Sequence, residues 1–315
     1  MRSTLLLSLV LGARLAAAST SYLLPLYFWP NEDGTCWSDV TSVAAAHPDL
    51  SWVIIINPES GPSTVSAIQP ILDCIPQLRS AIPSAKLVGY VSTRYGERAS
   101  SDVEADIDTY ATWGTVKTTN GSLVGLLDGL FADEMSSDGS DVSLYASYAS
   151  YARDKLGDLV VMNPGTSADA GYYETADLIV SYESSCEDWS KQAIMIYGLP
   201  EGDTSTVSSL LDTLVTKDQV GAVWLSDLTL DVNIYGSLSS DFAAVISGVD
   251  QRNSAISTTT TSKGAASTTA SSSVASTSSA SRTSTRILTS STTTSKKASK
   301  TSSRKHKYTR RVHHH

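Results

Sequence analysis

The chain has 315 residues and a formal net charge of −9, a figure that averages two unlike segments. All 32 Asp and Glu lie at or before Asp250; residues 1–253 set them against 12 Lys and Arg for a net −20, while residues 254–315 hold the other 11 cations and no acid, a net +11. An acidic body repels phosphate backbones, so no nucleic acid is expected on the folded part. His47 is the only one of five histidines in that body, which leaves almost nothing from which to build a Ser-His-Asp triad, a Cys-His pair or a multi-histidine zinc site.

Residues 1–18 read as a secretory signal: Arg2, an apolar run from Leu5 to Leu11, and the small residues Ala16, Ala17 and Ala18 before a cleavage point. The run is too short to span a bilayer, and no later segment is long enough, so a secreted protein without a transmembrane segment is expected. The body holds Cys36, Cys74 and Cys186, an odd number for an oxidising compartment. Three pairings exist; Cys36 with Cys74 is favoured because both fall in the first two structural units, leaving Cys186 free. Asn120-Gly121-Ser122 is an N-glycosylation acceptor pattern.

Residues 20–250 make one domain and punctuate regularly. Runs rich in Val, Ile, Leu and Tyr predict eight strands, at 22–29, 52–57, 86–93, 129–134, 159–163, 178–183, 193–197 and 222–227. Helical spacing falls between them, as at 64–82, 101–113, 142–156, 207–216 and 240–246. Strands apolar on both faces and alternating with helices indicate a parallel sheet covered by helices, and eight units in this length fit a (β/α)8 TIM barrel. A doubly wound sheet is the alternative, but the turn after the first strand, Pro30-Asn31-Glu32-Asp33-Gly34, lacks the G-x-G-x-x-G of a dinucleotide fold. Residues 254–315 form a basic tail: 32 of the 51 residues from Ser254 to Arg304 are Ser or Thr, a composition that builds no core and predicts a disordered, O-glycosylated stalk.

In such a barrel the active site lies at the C-terminal strand ends. Those ends read Tyr27 and Trp29, Asn57, Thr93-Arg94-Tyr95, Asp133-Glu134, Asn163, Tyr182-Glu183 and Asp227. Carboxylates, amides and aromatics converging on one mouth fit sugar chemistry. No metal and no cofactor are expected. Parity along 178–183 assigns Leu178 and Val180 to the helix-facing surface and turns Glu183 to the mouth; parity does not choose between Asp133 and Glu134. Tyr145, Tyr148 and Tyr151, at helical spacing, are assigned to packing.

Six ordered motifs resemble the spherulin-4-like family of secreted fungal and slime-mould proteins. They are Ile56-Asn57-Pro58-Glu59-Ser60-Gly61-Pro62, Gly89-Tyr90-Val91-Ser92-Thr93-Arg94-Tyr95-Gly96-Glu97-Arg98, Gly129-Leu130-Phe131-Ala132-Asp133-Glu134, Asn163-Pro164-Gly165-Thr166, the stretch from Ala176 to Glu183, and the Trp224 to Asp227 strand. The resemblance implies a glycoside hydrolase acting on α-1,4-linked N-acetylgalactosamine or galactosamine polymers. Its essential acids match Asp133, Glu134 and Glu183. Ala132 departs from the bulkier apolar residue of many relatives. In an α-linked 2-acetamido sugar the acetamide lies cis to the leaving group and cannot attack from behind, so a protein carboxylate must serve. The roles that follow are Asp133 as nucleophile, Glu183 as general acid/base and Glu134 as orienting group, with Asp133 and Glu134 interchangeable at this stage. Tyr27, Asn57, Tyr95, Asn163, Tyr182 and Asp227 are expected to bind substrate, Asp227 through a cationic amino group. The competing expectation is a non-catalytic wall, spore-coat or matrix protein that binds polysaccharide on the same barrel. A monomer is expected, with the tail in contact with wall or matrix polymer.

Overall fold

Eight short strands, β1 (Ser21–Leu26), β2 (Trp52–Ile56), β3 (Ala85–Ser92), β4 (Gly129–Asp133), β5 (Leu159–Met162), β6 (Leu178–Val180), β7 (Gln192–Ile196) and β8 (Ala222–Leu225), pair in chain order and close into a ring. Every pairing is parallel, and β1 meets β8 with Ser21 opposite Ala222 and Tyr22 opposite Val223. The computed structural model describes residues 19–181 and 189–267. The signal expected at 1–18, the tail beyond Ser267, and Tyr182, Glu183 and Cys186 lie outside the described residues.

All five residues of Trp52–Ile56 and all four of Ala222–Leu225 are buried, as a sheet covered on both faces requires. Alternate residues divide between two cores. Leu23, Val53, Ile55, Val88, Phe131 and Val161 fill the barrel. Their neighbours Leu24, Ile54, Leu87, Leu130 and Val160 join the larger cluster beneath the helices. β4 packs closest: a Cβ on Gly129 would stand 1.7 Å from the Leu159 carbonyl oxygen, so only glycine fits there.

Six α-helices lie among the described residues: α1 (Ser38–Ala45), α2 (Gln69–Ala81), α3 (Ser100–Thr112), α4 (Val142–Lys155), α5 (Thr204–Leu211) and α6 (Phe242–Ser267). The eight-residue α1 has no counterpart among the segments picked out by periodicity, and β5 connects to β6 through a 3-10 turn, Ala170–Glu174. Helix α6 seals the ring: Phe242, Val245, Ile246 and Val249 are buried. Asn253 then closes the helix onto the start of β1, its amide nitrogen donating to the Thr20 carbonyl and its oxygen accepting from the Thr20 N–H. The helix does not stop at residue 254, where composition places the start of a disordered tail, but continues to Ser267. A helix nucleated by packed first turns propagates at little cost through residues that make no core.

The face assignment in β6 is reversed relative to the parity reading. Leu178 and Val180 belong to the interior of the barrel, whereas Ile179 joins the helix-facing core. Ser181 is buried outside the interior, its hydroxyl 3.2 Å from the Gln192 side-chain oxygen. Both faces of this strand are buried, so a polar residue does not mark the mouth. The register that sets Leu178 opposite Val161 decides the orientation instead. Polarity along β6 therefore does not orient Glu183.

Cys36 and Cys74 form a disulfide with Cα atoms 5.5 Å apart, joining the loop after β1 to α2.

Candidate active site

The carboxylates at the end of β4 sit among donors supplied by the strands on either side. Interior parity on β3 runs Val88, Tyr90, Ser92; on β4 it runs Phe131, Asp133; on β5 it runs Val161, Asn163. The Tyr90 hydroxyl donates to Asp133 Oδ2 at 2.6 Å, and Asn163 Nδ2 donates to Asp133 Oδ1 at 2.7 Å. Both carboxylate oxygens are thus held from opposite sides. Asn163 is fixed in turn, its own Oδ1 accepting from the Gly165 N–H and its backbone N–H donating to the Ala132 carbonyl.

Glu134 would point to the opposite face if β4 continued as a regular strand. Instead its φ is +50°, in the left-handed region, which swings the side chain back so that Ser92 Oγ donates to Glu134 Oε2 at 2.7 Å. Arg94 and Tyr95, just past β3, are left-handed as well, at +47° and +57°. Non-glycine residues in this region cost on the order of 1 kcal/mol or more each and persist only where surrounding contacts enforce them.

Here the enforcement is visible. The Thr93 N–H donates to the Asp133 carbonyl and the Tyr95 N–H to the Glu134 carbonyl. The Thr93 hydroxyl lies 3.0 and 2.9 Å from those same two carbonyls and 2.7 Å from the Tyr145 hydroxyl. Tyr145 accepts from the Ser136 N–H at 2.9 Å, so its own proton goes to Thr93, which donates onward to the carbonyls. A buried relay thereby clamps the ends of β3 and β4. Tyr145 and Tyr148 do pack, with rings 5.7 Å apart edge to face, but the hydroxyl of Tyr145 also holds the segment that bears both acids.

Burial pushes the Asp133 carboxyl above the ordinary aspartate range, against the pull of the Tyr90 and Asn163 hydrogen bonds and with the help of the Glu134 charge. Burial likewise raises the Tyr90 phenol, with Asp133 adding to the effect, so this hydroxyl stays protonated and can only donate to the carboxylate. Tyr27 completes the group from β1: its ring meets Tyr90 at 5.8 Å and Tyr235 at 4.8 Å. Burial first and the Asp133 charge second raise its phenol too.

Of the residues expected in the cleft, the fold gathers Tyr27, Asp133, Glu134 and Asn163. Asn57 uses its side-chain oxygen to accept from the Gly61 N–H in the loop after β2. Tyr95 stands at the rim, 55% exposed. Asp227 is occupied elsewhere: its oxygens accept from the Ser240 N–H at 3.2 Å and the Ser240 hydroxyl at 2.5 Å just before α6, and these and other hydrogen bonds lower its pKa despite burial. Tyr90, Ser92 and Tyr145 were not singled out as site residues from sequence. The spacing Val88, Tyr90, Ser92 held the signal, since two polar side chains on the parity of an interior Val point into a barrel. No group of three or more His, Cys, Asp or Glu arranged for a metal ion occurs among the described residues.

The family model of spherulation-specific family 4 matches residues 21–249. The chain belongs to this family. Spherulin-4 of Physarum polycephalum is 30% identical over 250 residues, covering 73% of this chain and 70% of that protein. Among solved structures, Aspergillus clavatus Sph3 in complex with GalNAc aligns with a TM-score of 0.64 at 24% identity, over 75% of this chain and 99% of that one. The closed eight-stranded barrel is thus a fold shared with a protein crystallised with an amino sugar. As for membranes, no helix among the described residues is long and apolar enough to cross one.

Proposed function

We propose that this member of spherulation-specific family 4 is a secreted glycoside hydrolase that cleaves α-1,4-linked N-acetylgalactosamine or galactosamine polysaccharide. The observation that supports the reading best is the Asp133–Glu134 pair at the barrel mouth, with donors on both oxygens of the first and on one oxygen of the second. Two fixed donors hold the Asp133 carboxylate in one orientation, the requirement either for in-line attack on an anomeric carbon or for taking the proton of the water that attacks that carbon. Glu134, held by Ser92 through Oε2, can meet a sugar hydroxyl or amine with its other oxygen. Glu183 is the partner acid, giving its proton to the departing glycosidic oxygen.

The likeness to a GalNAc complex motivates the sugar class, and the net −20 of residues 1–253 suits a polymer carrying free amines. The test is to incubate the secreted protein, and its Glu183→Gln variant, with α-1,4-linked galactosamine and N-acetylgalactosamine oligomers and to identify products by mass. Shortened oligomers from the wild type alone support the proposal. Binding of intact oligomers with no product from either protein refutes it in favour of a matrix-binding role.

A further inference from the structure

Away from the carboxylate pair, a cavity of about 830 Å³ opens beside the Cys36–Cys74 disulfide. Its wall includes Trp29, 44% exposed, with the polar side chains of Asn31, Gln77, Thr119 and Asn120 around it. None of the residues that hold Asp133 and Glu134 lines it. An exposed indole among amides and hydroxyls is a surface suited to the face and hydroxyls of a sugar ring.

Asn120 begins the acceptor pattern Asn120-Gly121-Ser122, and it lines this cavity. The pattern occupies a tight turn closed by the Lys117–Leu123 bridge, with Gly121 at φ +89° and nothing within 4 Å of where its Cβ would be. The Asn120 side-chain oxygen accepts from the Thr118 hydroxyl at 2.6 Å and the Ser122 N–H at 3.1 Å, which turns its amide nitrogen away from the turn. Asp73 on α2 then pins the tip: its two oxygens accept from the N–H and the hydroxyl of Thr119 at 2.7 and 2.6 Å. The acceptor is exposed, and the turn that presents it is fixed to the cavity wall.

The geometry points to Asn120 as the site of an N-linked glycan whose first sugars rest in this cavity against Trp29, over the disulfide. In the transfer, Asn120 Nδ2 forms a bond to the anomeric carbon of the first sugar of a lipid-pyrophosphate-linked oligosaccharide. The bond from that carbon to the pyrophosphate oxygen breaks, the lipid pyrophosphate departs, and the amide proton is lost to a base. The inference needs passage through the secretory pathway but no hydrolase activity, so it stands or falls apart from the proposed function.

The full chain is to be secreted from a eukaryotic host and its peptides mapped by mass before and after peptide N-glycosidase in heavy-oxygen water. A glycan at Asn120 that becomes heavy-labelled aspartate, and that is absent from a folded Ser122→Ala protein, is expected. A bare Asn120 in the secreted protein overturns the modification. Native deglycosylation of Trp29→Ala should run about tenfold faster than that of the wild type, the factor for one lost stacking contact, with equal rates after denaturation. Equal native rates overturn the resting place. So does Trp29-dependent binding of α-1,4-galactosamine oligomers by the glycosylated protein, which would assign the cavity to free polymer.

Discussion

Asp133 combines two properties that rarely coincide, a donor on each carboxylate oxygen and an elevated pKa. Its folded value lies above the 3.8 of the free group. Its contribution to stability is therefore complete below that value and is lost as pH rises through the higher, folded value. Asp133→Asn keeps both partners, since its oxygen can accept from Asn163 and its amide can donate to the Tyr90 oxygen. We expect the variant to lose about 10²–10⁴-fold in kcat yet to melt higher than the wild type at pH 7, with the difference in Tm vanishing below pH 3.8. Calorimetry across that range decides it; a variant less stable at pH 7 contradicts the assigned sign. Tyr90→Phe removes one of the two donors and should lower kcat about tenfold or more while pushing the acidic limb of the pH–rate profile upward, because a hydrogen bond that favours the charged form is gone. Two adjacent acids at a strand end were legible in the sequence, since like charges there are costly without a purpose. Tyr90 and Ser92 share the parity of Val88, but their contacts with Asp133 and Glu134 were not legible, because they span 43 and 42 positions of chain.

At the scale of elements, the site depends on the clamp between the ends of β3 and β4. Tyr145→Phe leaves the Ser136 N–H and the Thr93 hydroxyl without their buried partner, at about 1–3 kcal/mol. Far-ultraviolet circular dichroism should be unchanged and kcat should fall more than KM rises, because the left-handed turn that aims Glu134 is loosened while the cleft surface is intact. A pure rise in KM would refute this positioning role. Gly129→Ala, by contrast, drives a methyl into the Leu159 carbonyl and should destabilise the barrel by about 3 kcal/mol, read as a lower midpoint in denaturant. The strands themselves were legible from short apolar runs buried on both sides. The shallow α1 and the 3-10 turn between β5 and β6 were not, because eight mixed residues and one tight turn carry too little periodicity to stand out. The orientation of β6 failed for a different reason. Polarity marks the mouth only where one face of a strand is wet, and both faces of β6 are dry.

For the whole molecule, closing the 38-residue separation between Cys36 and Cys74 restricts the unfolded chain and is worth about 4 kcal/mol. Replacing both cysteines by Ala should lower the unfolding midpoint accordingly, and an unchanged midpoint would place the stability of the fold elsewhere. Charge acts at the same scale. The −20 of residues 1–253 predicts that turnover of a polymer with free amines falls as salt rises from 0.05 to about 0.5 M, where screening shortens to a few ångströms; flat rates would show that steering plays no part.

The sequence by itself determined the chain order of eight strands and the split between an acidic body and a basic tail. These follow from local composition and spacing, which each segment carries alone. Only the tertiary structure decided that Leu178 and Val180 face inward, that Asp227 serves Ser240 before α6, and that Tyr90, Asn163 and the Tyr145 relay hold the acids. Those outcomes depend on register and ring closure, which are set by contacts between distant segments. The net charge of −9 belongs with neither segment, and the proposed chemistry draws on a few of its carboxylates where the ends of β3, β4 and β5 meet.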